Sequence, residues 1–208
     1  MTETAPSKRY IVVAGNIGCG KSTLTRMLAE SLDAEPYFEA VDGNPYLADF
    51  YGDMTTWSFH LQVYFLSKRF EAHRQIATSP QAVVQDRSIY EDAEIFARNL
   101  HLQGLMHDRD YANYEALYHT MLRFCPPPDL VVYLQASLPT LQRRIALRGR
   151  DYEQAIPVDY LSRLNTLYDD WIGTFDRCPV LTLPADELDF VQSVADRDRV
   201  LEAIAASR

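Results

Sequence analysis

The sequence predicts a three-layer α/β fold: a five-stranded parallel sheet with helices on both faces. Three observations carry that prediction. Five short segments have strand composition, and three of them, YIVVA, AVVQD and LVVYL, are almost continuously apolar. Strands of that kind are covered on both faces, as they are in parallel sheets. Longer stretches with helical periodicity lie between them, and strand–helix alternation calls for right-handed crossovers within one sheet.

The first strand, Tyr10–Ala14, runs into a glycine-rich turn, after which Lys21–Leu32 reads as a helix. Tyr37–Val41 is the second strand, followed by a long helix over Thr56–Ile76. Ser79-Pro80 stops that helix, because proline lacks the N–H the next turn requires. The third strand, Gln81–Asp86, leads into a helix over Tyr90–Leu102. Pro126-Pro127-Pro128 breaks the chain before the fourth strand, Asp129–Gln135, and Ser137 followed by Pro139 starts the next helix. A helix over Asp159–Phe175 and a strand over Pro179–Leu183 complete the pattern. No repeat, low-complexity tract or linker divides the 208 residues, so one domain spanning 1–208 is expected.

Composition narrows the function classes. Hydrophobic residues at 47% and charged residues at 24% exclude disorder as the main theme. A net charge of −9 argues against a nucleic-acid surface, which needs a basic face. Cys19, Cys125 and Cys178 are widely spaced, with neither a CxxC nor a Cys/His pair, as in a reduced protein without a thiolate metal site. The N-terminal MTETAPSKRY is polar, and no apolar run approaches the roughly 20 residues that cross a bilayer. A cytoplasmic protein with no membrane partner is expected.

The first strand leads directly into Gly15-Asn16-Ile17-Gly18-Cys19-Gly20-Lys21-Ser22-Thr23, and a helix follows. This is GxxxxGK[ST] in the context it requires, a strand before and a helix after. Glycines let backbone N–H groups turn inward around phosphate oxygens, and the helix N-terminus adds partial positive charge. Lys21 can reach the β and γ phosphates, and the Ser22 hydroxyl can ligate Mg²⁺. Cys19 is read as a filler of the loop, oxidation-sensitive if exposed. The fold class thereby sharpens to a P-loop NTPase-like one.

In open α/β sheets ligands bind beyond the carboxyl ends of the strands. Glu39 falls there on the second strand and Asp86 on the third. Phosphorylating a hydroxyl needs a proton acceptor and a metal site for the triphosphate; Glu39 suits the first role and Asp86 the second. Arg87 beside Asp86 suits neutralisation of phosphate charge or retention of Glu39. Further along, Arg143, Arg144, Arg148 and Arg150 lie in QRRIALRGRDYEQ, with Arg144 and Arg148 sharing a helix face and Gly149 ending the helix. Guanidinium groups on a mobile segment over about 143–155 make an arginine-rich lid that closes on a triphosphate.

Four motifs in order, GNIGCGKST, the Glu39 segment, DRSIYED at Asp86–Asp92 and LRGRDYEQ at Leu147–Gln154, give the chain a clear family character. From Ile11 to about Leu183 it resembles the deoxynucleoside kinases, the group of deoxycytidine, deoxyguanosine and bacterial deoxyadenosine kinases. The resemblance implies Glu39 as general base with Arg87 adjoining it. It implies Gln62 in WSFHLQVYF as a hydrogen-bonding partner of the base, Arg69 and Asp92 as a pair reading the base edge, and Phe96 as a stacking aromatic. Tyr51 and Glu153 would hold the sugar 3′-hydroxyl, and Arg144, Arg148 and Arg150 would form the lid. ATP or another triphosphate with Mg²⁺ as donor, a deoxynucleoside as acceptor and a homodimer are implied as well. Ala40 and Asn44 depart from the proline and tryptophan of many animal members, and Asp86 replaces their glutamate. The run DGNPYL is similar to the bacterial purine enzymes, which implies deoxyadenosine first and then deoxyguanosine.

Two other classes share parts of this pattern. A nucleoside monophosphate kinase would want basic groups around its anionic acceptor, where this chain places Glu39, Tyr51 and Glu153. A guanine-nucleotide switch would want an NKxD motif, and the chain contains no Asn-Lys dipeptide.

Overall fold

Alternation along the first strand divides the core in two. Tyr10, Val12 and Ala14 enter one buried cluster, and Ile11 and Val13 enter the other. Successive side chains of a strand point to opposite faces, so both faces of the sheet are covered. The computed structural model describes residues 9–39, 41, 43–150, 153 and 156–207.

The strands are β1 (Tyr10–Ala14), β2 (Glu35–Tyr37), β3 (Val83–Asp86), β4 (Leu130–Gln135) and β5 (Val180–Pro184). They pair in the order β2-β3-β1-β4-β5, every pair parallel. Helix α1 (Lys21–Leu32) and the C-terminal α9 (Val194–Ala206) bring Leu24, Leu28, Val200 and Ile204 to the face of Ile11 and Val13. The opposite face takes the long α3 (Met54–Thr78), α6 (Asp108–Leu122) and α8 (Val158–Thr174). A helical rod packs with them, built of α4 (Ile89–Glu91), a π-helical stretch Asp92–Ala97 and α5 (Arg98–Leu102). The short α2 (Leu47–Gly52) precedes α3, and α7 (Leu138–Arg148) runs up to Gly149.

The predicted parallel sheet and all five strands are present. The second is shifted: the expectation was Tyr37–Val41, and the strand ends at Tyr37. Its partner explains the shift. Tyr37 pairs with Gln85, and one residue later Asp86 ends β3, so nothing remains for the chain beyond Tyr37 to pair with. Glu39 therefore stands past the strand on a loop. The helix expected over Tyr90–Leu102 contains the π stretch, a feature that helical periodicity does not separate from ordinary helix. Helices α6 and α9 were not expected, since each buries only two residues one turn apart, Tyr114 with Tyr118 and Val200 with Ile204. Their remaining surface is too polar to show a stripe.

Under the sheet, His73 of α3 is wholly buried, its Nε2 3.5 Å from the Tyr10 hydroxyl. Burial first, and then the cation of Arg69 one turn away, drive its pKa from 6.5 down to about 3. An unfolded histidine thus takes up a proton at a pH where the folded one does not. Its contribution to stability is complete above pH 6.5 and is lost as pH falls from there toward 3. Denaturant melts at about pH 7 and about pH 5.5 should differ by roughly 1 kcal/mol more in the native chain than in His73→Phe. Equal differences in the two proteins would remove His73 as the source.

Candidate active site

The P-loop is shaped by backbone that ordinary residues avoid. Gly15, Gly18 and Gly20 have φ of 144°, 84° and 109°. At Gly18 a side chain is doubly excluded, because a Cβ would stand 2.8 Å from Ile145 Cγ1 and 3.0 Å from the Leu141 carbonyl. The loop therefore packs its back against α7, while Ile17, Gly18 and Gly20 border a cleft. Lys21 opens α1, and its Nζ donates to the Asn16 carbonyl at 3.0 Å.

That cleft, about 690 Å³, lies past the carboxyl ends of β1, β2 and β3. Ile17, Gly18, Gly20, Lys21, Ser22 and Thr23 line its P-loop side. Glu39, Tyr51, Gln62, Asp86, Arg87, Asp92 and Phe96 line it as well, with Arg144, Arg148, Arg150 and Glu153. Most of the sequence-predicted site thus converges on one space. Four predicted residues do not line it. The Gly15 N–H bonds the buried Glu91, the Asn16 side chain turns to α8, and Cys19 is fully buried. The filler reading of Cys19 fits, and burial pushes its thiol up, away from reactivity. Arg69 is the fourth.

Arg69 sits behind the cleft as a hub. Its Nε donates to Asp92 Oδ2 at 3.0 Å, Nη1 to the Asp86 carbonyl at 2.9 Å and Nη2 to Glu39 Oε1 at 3.3 Å. Arg87 Nη1 donates to the same Glu39 oxygen at 2.7 Å, and its guanidinium lies 4.0 Å over the Phe96 ring. Burial alone would raise the Glu39 pKa, but Arg87 and then Arg69 outweigh it and hold the carboxyl below the ordinary 4.5. Glu39 is accordingly ionised throughout the neutral range. Arg87 takes a left-handed φ of 67° while its N–H bonds the Val13 carbonyl at 3.0 Å. A sharp turn straight after β3 is what aims its side chain back at Glu39. Burial, then Tyr160 and Glu153, push the phenol of Tyr51 well up, so it stays neutral.

Beside the P-loop, the Ser22 hydroxyl donates to Asp86 Oδ2 at 2.5 Å. The other Asp86 oxygen, Oδ1, is buried and has no hydrogen-bond partner. No group of three or more His, Cys, Asp or Glu side chains able to hold a metal exists among the described residues. A cation here would take Ser22 and Asp86 from the protein and its remaining ligands from phosphate oxygens and water. That mixed shell is the one Mg²⁺ favours, so the donor set fits the ion.

The predicted lid divides in two. Arg144 is a brace, donating to the Cys19 carbonyl at 2.7 Å and the Ala185 carbonyl at 2.9 Å. Arg148 donates twice to Glu153 Oε2, at 2.9 and 2.5 Å, and Arg150 donates to Glu153 Oε1 at 3.3 Å. Glu153, expected at the sugar, is buried and bonded to both lid arginines. Asp151, Tyr152 and Gln154 of the lid motif, and Ala40 beside Glu39, lie outside the described residues.

Sequence reading did not mark Arg26, Phe38, Tyr160, Phe190 or Val191, all of which line the cleft. Arg26 was within reach, since it stands four residues past Ser22 on the same helix face. Phe190, packed 3.3 Å from where a Gly20 Cβ would lie, carries no chemical signature in sequence. With Arg26 included, six cationic and four acidic side chains border the cleft, inverting the sign of the chain as a whole.

Residues 11–207 match the family model described as deoxynucleoside kinase. The chain belongs to the deoxynucleoside kinase family. It is 40% identical over 203 residues to a deoxyadenosine/deoxycytidine kinase of Bacillus subtilis (strain 168), covering 97% of this chain and 94% of the other. Identity to a deoxyguanosine kinase of Lactobacillus johnsonii is 41% over 204 residues, covering 94% and 91%. The solved structure of deoxyadenosine kinase from M. mycoides with bound dATP matches with a TM-score of 0.84 at 27% identity, covering 95% of this chain and 100% of that one. Membership of this family makes the chain an ATP-dependent deoxynucleoside kinase and sets aside the monophosphate-kinase and switch readings.

The steric account of the P-loop is open to a stability measurement. Gly18→Ala combines left-handed backbone with two sub-contact distances and should cost roughly 2–4 kcal/mol. Gly149→Ala, at φ 68° with nothing within 4 Å of the added carbon, should cost only about 1 kcal/mol. Equal losses in denaturant melts would remove the packing of the loop on α7 as the cause.

Proposed function

We propose that this kinase acts on purine deoxynucleosides, deoxyadenosine before deoxyguanosine, placing the phosphoryl group on the 5′-hydroxyl. The observation that carries the reading is Gln62. Its side chain lines the cleft at 3% exposure, and Oε1 is buried without a hydrogen-bond partner. A buried acceptor without a donor costs about 1–3 kcal/mol, so a ligand able to donate there gains that much. An exocyclic amine of a base is such a donor. Asp92, held by Arg69, sets a second acceptor facing the same space, and Phe96 offers a plane for stacking. Two acceptors favour an amino-substituted edge over a carbonyl, which puts adenine ahead of guanine. The similarity to a deoxyadenosine/deoxycytidine kinase and to deoxyguanosine kinases supports the same range.

In this reading the triphosphate lies along the P-loop amides, with Lys21 leaving the Asn16 carbonyl for the β and γ oxygens. Ser22 and Asp86 hold Mg²⁺, which supplies neutralisation of triphosphate charge when bound. Both arginine bonds to Glu39 fall on Oε1, leaving Oε2 to accept the proton of the 5′-hydroxyl. Oxygen then attacks the γ-phosphorus in line as the bond to the β-bridging oxygen breaks, and ADP leaves. Arg87 holds Glu39 ionised and oriented, while Arg148 and Arg150 stabilise charge on the transferring group. Tyr51 and Glu153 hold the 3′-hydroxyl, with Glu153 also steering the lid. No helix among the described residues is long and apolar enough to cross a membrane. We place the enzyme in the cytoplasm, on its cysteine usage and polar N-terminal stretch, as one kinase domain, on the absence of a dividing linker, and as a homodimer, as the resemblance implies. Light scattering at twice the chain mass would bear out the dimer.

Labelled ATP assayed against the four deoxynucleosides should give fastest turnover with deoxyadenosine. Preference for thymidine would overturn the base assignment. Glu39→Gln should lower kcat by a factor of about 10²–10⁴ with deoxynucleoside affinity kept, and turnover at the native rate would take Glu39 out of the base role. Gln62→Leu should raise the deoxynucleoside KM at least about tenfold and leave the ATP KM unmoved, whereas an unchanged deoxynucleoside KM would remove Gln62 from recognition.

A further inference from the structure

Neither phosphoryl transfer nor the nucleoside pocket uses Glu91, yet no carboxylate among the described residues is more completely engaged. It is fully buried. Oε1 accepts from the Gly15 N–H at 3.2 Å and the Tyr168 hydroxyl at 2.9 Å. Oε2 accepts from the Ser88 N–H at 2.7 Å and the Ser88 hydroxyl at 3.0 Å. Four donors surround a group that only accepts, which is how a carboxylate is buried without an ion pair. Burial pushes its pKa up, against the pull of Arg87 and of the donors from Ser88 and Tyr168.

What these bonds join matters more than their number. Gly15 is the first residue of the P-loop, and Ser88 follows directly on Arg87, two residues past Asp86. One carboxylate therefore clamps the entry of the phosphate loop to the turn that carries the metal-site acid and the arginine holding Glu39. A second clamp lies next to it. Asn16 Nδ2 donates to the Leu161 carbonyl at 2.9 Å and to Asn165 Oδ1 at 2.6 Å, and its own Oδ1 accepts from the Ile17 N–H at 2.7 Å. Asn165 Nδ2 donates onward to the Ala136 carbonyl at 2.9 Å, just past β4. Leu161, Asn165 and Tyr168 are spaced i, i+4, i+7, so one face of α8 delivers both clamps. That helix begins five residues after Glu153, the partner of the lid arginines.

We infer that Glu91, oriented by Tyr168, and Asn165 are positioning residues for phosphoryl transfer: Glu91 holds Gly15 in register with the Asp86–Arg87 turn, and Asn165 holds Asn16 against α8 and the end of β4. The inference rests on the reading of this loop as the triphosphate cradle. Gly15 spends its N–H on Glu91, so the loop leaves β1 in one direction only, and the later amides converge on a fixed point. Releasing that N–H lets the cradle drift against Glu39 and Asp86, and a misplacement near 1 Å costs up to about 10²-fold in rate. Gln62 takes no part in either clamp, and Phe96 meets only the Tyr168 ring, edge to face at 6.4 Å, a contact that Tyr168→Phe keeps, so deoxynucleoside affinity is untouched in that variant.

Tyr168→Phe is the sharpest probe, because it deletes the donor and keeps the ring stacked 5.7 Å from Tyr133. In the full-length protein it should raise the ATP KM and lower kcat several-fold, with the deoxynucleoside Kd within about twofold of native. Asn165→Ala should do the same, and Glu91→Gln, which turns an amide donor toward Ser88 or Gly15, should act more strongly, by about tenfold or more. Adding Tyr168→Phe to Glu91→Gln should change little further, since the tyrosine acts through the carboxylate. If Glu91→Gln does not fold, Tyr168→Phe and Asn165→Ala decide the matter. Native kcat and ATP KM in both of those overturn the inference, and so does a lower melting temperature with both constants unchanged per folded molecule. Lys21→Ala run in parallel separates the two layers. If it loses turnover while the clamp variants keep theirs, the cradle reading stands and the positioning role falls; if it turns over at the native rate, the cradle reading itself fails.

Discussion

The site is organised by a buried guanidinium that does not touch the cleft. Arg69 bonds two carboxylates and a backbone carbonyl drawn from three separate segments, the loop after β2, the end of β3 and the π stretch. A buried cation is tolerated only when it is paired and its donors are satisfied. Here two arginines, Arg69 and Arg87, balance two acids, Glu39 and Asp92, close to one another. Removing any one of the four would leave a net charge out of water, at a cost of about 3–5 kcal/mol for a broken buried pair. The network therefore fixes where Glu39 stands although Glu39 belongs to no strand or helix. A proton acceptor on a loop gains the precision of a residue on a rigid element, because its position is set by charge balance.

The sheet supplies the second constraint. β1 is central: the chain leaves it for β2 at one edge, returns to β3 beside it and then crosses to β4 on its other side, so the crevice opens above β1 where the P-loop begins. Each chemically active segment leaves the sheet within a few residues of that point: Gly15 after β1, Glu39 after β2, Arg87 after β3. Backbone strain is concentrated there as well, in the glycine φ values of the P-loop and in the left-handed Arg87. The surrounding parallel core, in which every residue of β1 is buried, holds these conformations in place.

The fold was legible because its signals are local. Continuous apolar strands, a proline after α3 and a glycine after α7 mark boundaries with little help from tertiary structure. The convergence of Lys21, Ser22, Asp86, Arg87 and Arg148 was legible too, since motif and strand end place them together. Less visible was what depends on partners remote in sequence. The end of β2 is decided by where β3 stops pairing, and α6 and α9 hide because each buries a single pair of side chains. Arg144 and Arg148 look alike on one helix face, yet one reaches carbonyls of Cys19 and Ala185 and the other reaches Glu153. Helical spacing groups residues by face; it does not say what lies opposite that face.

Glu39, Glu91 and Asp92 show the same limit in chemical terms. Glu91 and Asp92 are buried and Glu39 is partly buried, and their residue types say nothing of how they differ. At Glu39 two guanidinium groups overcome the cost of burial and keep the carboxyl ionised below its ordinary range. At Glu91 the neighbours are hydroxyls and amides, burial prevails, and the carboxyl is pushed up. Asp92 is pushed up as well, with Arg69 offsetting burial only in part. Only the first combines an ionised carboxylate with a place in the cleft and an oxygen left over from its ion pairs, which is what accepting a proton from a hydroxyl requires. The second is closed on all sides and can only hold. Environment, more than residue type, separates the acid that reacts from the acid that positions, and in this protein the two are linked through Arg87 and Ser88, adjacent residues on the turn that leaves the central sheet.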